Sequence, residues 1–323
     1  MIDDASTLAR RLLDDGLSVP RPGTGDTGTR WRTLRELCHV DIALGRLVEA
    51  HLDADVILHE LTGRGTESGE FWGVWAAEPP MPRVTAERRG EGWRLTGAKP
   101  WCSGVLSCDH ALITADVLNG ASAGRRMFAV ELDAEGVRRE LADWTNAGMD
   151  RTETGTVVLD GVVGRPVGER GAYLDRAGFW HGGIGVAACW VGGTQKVADA
   201  LYIKAASANR ELPEILLMHL GAVEAEIATA VALLDAAARE VDACPSDLEV
   251  ARRRAFGVRW SVEQRATAVI DRVGRALGPG PLVHDAEHAQ AVADLQVYVR
   301  QSHADADLVS LGALVVERAR AAR

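Results

Sequence analysis

The chain is poor in cysteine: Cys38, Cys102, Cys108, Cys189 and Cys244 are the five in 323 residues. They are odd in number, scattered and free of any Cys-x-x-Cys pair, which indicates neither a disulfide framework nor a thiolate metal site; the thiols are expected to be reduced. Nor does any segment reach the roughly 20 uninterrupted apolar residues of a membrane span. The opening Met1-Ile2-Asp3-Asp4 lacks the basic start of a signal peptide, so the expected compartment is the cytoplasm and no membrane partner is expected. Positive charge is also short. Thirty-six Lys and Arg stand against 46 Asp and Glu, a net charge of −10, which disfavours a nucleic-acid partner, since that requires a basic stripe, and none is expected. Arg252-Arg253-Arg254 is the densest basic run, and its acidic neighbours make it read as a solvated helix face. Internal repeats and low-complexity segments are absent.

What remains is an ordinary globular composition, 47% hydrophobic and 25% charged. The chain is too long for one typical core, so two or three packed units are expected. Residues 1–70 read as helices: Thr7 to Leu17 is amphipathic, Pro20 to Gly25 breaks it, and Leu34 to Leu61 returns to a helical period through Leu44, Leu47, Val48 and His51. Residues 71–167 change to short strands, Phe71–Trp75, Trp93–Gly97, His110–Thr114, Met127–Leu132 and Thr154–Asp160, with glycine-rich turns between them, as in an antiparallel barrel or sandwich. Residues 168–323 read as Ala- and Leu-rich helices, Gly182–Ala208, Pro213–Val241, Leu248–Leu277, Asp285–Val299 and Asp305–Arg320. They are too apolar for one exposed stripe each, which predicts a bundle with further faces buried between subunits.

Two segments carry chemistry. Trp75-Ala76-Ala77-Glu78-Pro79 is followed by Gly92-Trp-Arg-Leu-Thr-Gly97-Ala-Lys99-Pro-Trp101-Cys-Ser103-Gly104. An indole and a small hydroxyl at the end of an alternating strand can stack on and hydrogen-bond a flat heteroaromatic ring, or Trp101 can cap the sheet as a core aromatic. The order and spacing over these thirty positions resemble the acyl-CoA dehydrogenase family, whose β-domain carries Thr-Glu-Pro and then Gly-Tyr-x-Leu-x-Gly-x-Lys-x-Trp-Ile-Thr/Ser-Asn. Met149 to Val162 and Arg275-Ala-Leu-Gly278-Pro-Gly280 resemble two further family segments.

The resemblance implies an α+β fold of N-terminal helices (1–70, shortened), a middle β-domain (71–167) and a C-terminal helical bundle (168–323). It implies FAD held by Trp75, Ala77, Trp101 and Ser103, with the adenosine end on a neighbouring subunit's Arg210, Gly278 and Gly280, in a homodimer or homotetramer. It implies an oxidoreductase acting on an acyl or acyl-like small molecule, with the electron acceptor open. The glycines alone read equally well as a helix C-cap before Pro281.

The chain departs from the family in three places. Pro79-Pro80-Met81-Pro82 replaces a Gly-x-Gly-Ser-Asp loop, and prolines cannot donate those backbone N–H groups. The usual catalytic glutamate is missing both before the last helix, where Arg300-Gln301-Ser302-His303 stands, and on the first bundle helix, where Phe179-Trp180-His181-Gly182 stands. His181 and His303 are therefore the candidate bases, with Ser302 to Asp305 read alternatively as a capping box. His284 and His288 are spaced i, i+4, as metal ligands on one helix face would be, without a third ligand; a solvated face is the expected outcome and no metal is assigned. A flavin-dependent monooxygenase of the same fold, or a catalytically degenerate flavin-binding subunit, fits these departures as well.

Overall fold

A computed structural model describes residues 4–77, 80, 83–118 and 124–322. The chain divides into two compact units, one of residues 1–19, 46–145 and 150–179, the other of residues 20–45, 146–149 and 180–323.

The first unit is a sheet with two helical attachments. Its strands are β1 (Trp72–Trp75), β2 (Val84–Arg89), β3 (Gly92–Cys102), β4 (His110–Val117), β5 (Gly124–Glu131), β6 (Val137–Leu141) and β7 (Gly155–Val167). β4, β2, β3, β7 and β5 pair in a ring that closes on β4, so these five form a barrel; β1 extends alongside β4, and β6 alongside β7. The sheet is mostly antiparallel as the alternation predicts, but β1 and β2 run parallel to β4. The inward residues Leu95, Ile113, Phe128, Val157 and Leu159 are fully buried, and in β3 and β7, where one face is buried, a one-residue register slip would turn such residues out to water.

Helix α1 (Ala5–Asp14) buries Ala5, Ala9 and Leu13 and is also tied to this sheet by charge. Arg10 grips Asp109 through both terminal nitrogens at 2.7 and 2.9 Å, Asp109 also accepts from the Phe71 backbone N–H at 2.8 Å, and Ser6 donates to Glu153 at 2.9 Å. Paired N–H donors on one carboxylate fix orientation as well as distance. Residues 46–62 of α3 (Ile42–Thr62) also belong to this unit, where Ala54, Ile57 and Leu58 join Trp72, Leu112 and Met127 in one buried cluster.

The second unit is helical: α2 (Thr27–Val40), α4 (Ala177–Ala206), α5 (Glu214–Ala243), α6 (Leu248–Leu277), α7 (Gly280–His284), α8 (Ala286–Val299) and α9 (Asp305–Ala321). The helical period read as continuous from Leu34 is broken at Asp41, whose backbone is extended and whose carboxylate accepts from the Leu44 N–H at 3.0 Å. Gly192 lets α2 reach α4: a Cβ there would stand 2.0 Å from the Arg35 carbonyl oxygen. Trp190 is completely buried, with Tyr298 edge-on at 6.3 Å and the Arg259 guanidinium over its ring at 4.9 Å. Residues 146–149 are held on α8, where Met149 N–H donates to buried Asp294 at 2.6 Å and Gln290 donates to the Ala147 carbonyl at 2.8 Å. By length and composition α5 could cross a membrane; its packing partners are α6 and α2.

The run Arg252-Arg253-Arg254 is not a uniformly solvated face. Arg252 lies over the Trp180 ring at 5.4 Å, and Arg254 is buried. The helical period alone placed these three neighbours about 100° apart, so one of them had to turn inward.

Candidate functional site

In the sheet unit the two segments singled out from the sequence meet. Trp75, at the end of β1, is 2% exposed, and its indole N–H donates to the Ser103 carbonyl at 3.0 Å. Gly73 makes this possible, because a Cβ there would fall 2.7 Å from the Trp75 indole nitrogen. Trp75 is thus a core residue that fastens the Ser103 backbone. Ala77 follows it, half-buried.

Trp101 is different. Between Lys99, opposite Val157, and Cys102, opposite Gly155, β3 carries one residue more than β7, which is a β-bulge. Lys99 and Cys102 are buried on either side, while Trp101 takes φ +62° and leaves its indole 66% exposed. Left-handed backbone is a true outlier for a bulky residue and costs about 1–3 kcal/mol. The bulge therefore holds a flat aromatic surface out of the sheet at a cost in stability, and the core-capping alternative for Trp101 does not describe it. Ser103 accepts from Thr154 at 3.3 Å, and Thr154 meets Thr152 at 2.8 Å, so Ser103 heads a short row of linked hydroxyls. Burial pushes the neighbouring Cys102 thiol up to about 12, so it is not a thiolate at neutral pH.

In the helical unit Arg210 stands in the connection from α4 to α5 and lines an open cavity of about 440 Å³ with Lys204, His219 and Arg275. Arg275 also pairs with Asp271 at 2.7 Å. Gly278 caps α6 at φ +69° and Gly280 opens α7; a Cβ at either would meet only open space. Arg210 is thereby brought into one cavity with Arg275, which stands three positions before the glycine turn. Lys204 and His219 were not legible as site residues, since no local pattern marks a lysine near a helix end or a histidine on an apolar helix.

The two candidate bases are placed very differently. His181, in the first turns of α4, is 2% exposed and its Nε2 lies 2.8 Å from the Pro245 carbonyl oxygen. His303 is exposed over 76% of its side chain, with Nδ1 3.5 Å from Asp307. The capping-box reading shifts: α9 starts at Asp305 with Ala304 as its cap, and the Ser302 hydroxyl accepts from the Ala304 N–H at 3.1 Å. The Asp307 hydrogen bond raises the His303 pKa above its ordinary value, against a smaller opposing effect of burial. A raised folded-state pKa stabilises the fold at pH below the unfolded value of about 6.5 and loses that effect as pH rises through the folded value. The imidazole titration followed by NMR is accordingly expected above that of a free histidine, returning toward it in Asp307→Asn. An unshifted His303 in the wild type contradicts the pairing.

His284 ends α7 and Asp285 caps α8, accepting from the His288 N–H at 3.0 Å, so the two histidines do not share one helix. His288 is buried rather than solvated, and burial lowers its pKa. Among the described residues no cluster of three His, Cys, Asp or Glu forms a metal site.

The segment Glu78, Pro79, Met81 and Pro82 lies outside the described residues; of that run only Pro80 is described, its carbonyl accepting from Arg83 at 3.1 Å.

Residues 76–162 match the family described as acyl-CoA dehydrogenase, middle domain. No curated protein sequence matches the chain. Among solved structures, KijD3 in complex with FMN and dTDP-3-amino-2,3,6-trideoxy-4-keto-3-methyl-D-glucose is similar with a TM-score of 0.81 at 18% identity, over 99% of this chain and 86% of that one. Glutaryl-CoA dehydrogenase from Mycobacterium smegmatis is similar with a TM-score of 0.75 at 19% identity, over 91% and 82%. Dibenzothiophene monooxygenase (TdsC) from Paenibacillus sp. A11-2 is similar with a TM-score of 0.76 at 16% identity, over 98% and 96%. At these identities the structures establish the fold, which is acyl-CoA dehydrogenase-like, and the family match itself is to the middle domain, residues 76–162.

Proposed function

We propose that the protein is a flavin-dependent oxidoreductase that oxygenates a small organic molecule with reduced flavin and O2. The observation that carries this reading is the state of the two histidines. Removal of a weakly acidic proton beside a thioester requires an available base within hydrogen-bond reach of the substrate. His181 is enclosed with one ring nitrogen on a backbone carbonyl, and His303 stands in water with 76% of its side chain exposed, so neither is a free base set in a dry pocket. An oxygenase does not need that base. One atom of O2 enters the substrate, the other leaves as water, and the electron pair arrives as reduced flavin.

The residues fit such a cofactor. The bulge presents an indole suited to stacking on a flavin ring, Ser103 and Ala77 offer backbone and hydroxyl contacts beside it, and the cations Lys204, Arg210 and Arg275 suit the phosphates of FAD, with Gly278 and Gly280 leaving room for a ribose. FAD is the cofactor proposed, with Arg210, Gly278 and Gly280 contributed by a second copy of the chain in a homodimer or homotetramer. That FMN is named with KijD3 and with a TdsC structure, and FADH2 with a glutaryl-CoA dehydrogenase, supports a flavin without choosing between them.

The second reading, dehydrogenation of an acyl substrate with His181 or His303 as the base, rests on the matching middle domain and on the glutaryl-CoA dehydrogenase likeness. Anaerobic mixing of the flavin-loaded protein with butyryl- and octanoyl-CoA separates the two. The expected result is no rapid bleaching of the flavin; rapid, saturable bleaching overturns the oxygenase proposal. In that event His181→Gln or His303→Gln should retain flavin and slow the bleaching about 10²–10⁴-fold.

A further inference from the structure

The arginine run on α6 has a second use. Between α5 and α6 lies a groove of about 220 Å³ lined by Leu233, Glu240, Val250, Arg253, Arg254 and Val258 among others. Arg254 is charged yet its side chain is only 5% exposed. Its Nε donates to the Glu240 carboxylate at 3.0 Å and one terminal nitrogen donates to the Glu240 backbone carbonyl at 3.2 Å, but Nη1 is buried with no partner. A guanidinium carries five N–H donors in a fixed fork, and leaving some of them dry and unpaired is costly. Arg253 lines the same groove and, among the described residues, makes no hydrogen bond or ion pair. Two cations thus face one carboxylate there, and that carboxylate, Glu240, is 66% exposed and free to swing toward water.

We infer that this groove binds a small organic carboxylate with a short apolar tail. The entering carboxylate exchanges with Glu240 on the Arg254 fork, reaches the unsatisfied Nη1, and is shared with Arg253; bidentate carboxylate–guanidinium pairing is the geometry that fork is built for. The tail lies over Leu233, Val250 and Val258. The volume sets the size: at ~30 Å³ per water the groove holds roughly seven water volumes, which suits an acid of about six carbons. None of the residues assigned to flavin lines this groove, so the inference does not depend on the flavin reading.

Calorimetric titration of the full-length protein with hexanoate, hexanol and hexylammonium tests it. Hexanoate is expected to bind saturably in the millimolar range, and the other two at least about tenfold more weakly. Arg253→Met should weaken hexanoate about tenfold, and Glu240→Gln, which removes the internal competitor, should tighten it. Both changes sit at the groove surface, so they test the site without relying on Arg254→Met, whose loss of a buried residue risks the fold. Equal binding of hexanol and hexanoate, no saturation by about 20 mM, or affinity indifferent to both variants overturns the inference. So does self-association that protects the groove, since a second copy would then be its occupant.

Discussion

Trp75→Ala is expected to destabilise the sheet unit by about 3–5 kcal/mol, the usual loss for a fully buried large aromatic, and to abolish flavin binding with it. The indole fills the space above Gly73 and holds the Ser103 carbonyl, so its removal leaves both a cavity and an unpaired acceptor at the base of the ring-binding segment. Trp101 should behave in the opposite sense. Trp101→Gly removes a mostly exposed ring and relieves a left-handed backbone, so urea unfolding should show a sheet unit at least as stable as the wild type. Flavin affinity, measured by fluorescence titration, should nonetheless fall by the stacking contribution of about 1–2 kcal/mol, roughly 5–30-fold. A Trp101→Gly protein that loads flavin as the wild type does would show that the exposed indole serves something else.

The second large effect is expected at Trp190. It is enclosed on every side, Tyr298 meets it edge-on and Arg259 covers its face while donating to the Gly183 carbonyl at 2.8 Å. Trp190→Ala should cost about 3–5 kcal/mol and should also loosen Arg259, whose cation–π contact is lost. Since Arg259 lies 3.8 Å from Asp307, the partner of His303, the substitution is expected to shift the His303 titration as well. Chemical denaturation and imidazole NMR on the same sample check both. A midpoint within error of the wild type would mean that the bundle refills this site.

Much of the architecture was legible because burial imposes a period. Leu248–Leu277 reads from sequence as the same helix that forms, and β3 and β7 show alternation where one face is buried. β2 and β6 were not legible. β2 reads Val-Thr-Ala-Glu-Arg-Arg, with only Val84 and Ala86 buried, and β6 reads Val-Arg-Arg-Glu-Leu with no buried residue, so both form through pairing with β3 and β7 rather than through any pattern of their own. The parallel pairing of β1 with β4 joins residues far apart in the chain, and strand direction leaves no mark on composition. At the candidate site, Trp101 and Ser103 stood out from sequence, yet the bulge that exposes the indole did not, because a bulge is an offset between two strands. The enclosure of His181 was equally hidden, since the carbonyl that meets it belongs to Pro245, 64 residues away.

The pairing of β7 has a consequence for how the chain is made. β7 borders β3, β5 and β6 at once, whereas β2 and β3 form a hairpin of their own. A growing chain that has emerged only to about residue 150 therefore carries a ready-made hairpin and the β4–β5 pair, but β3 and β5 each lack a neighbour and stand as raw edges, the kind of surface on which nascent chains stick to one another. Emergence of the last thirteen-residue strand covers β3, β5 and β6 together. The sheet unit should consequently appear late and all at once during synthesis, and chains truncated before Gly155 should be aggregation-prone fragments rather than smaller working domains.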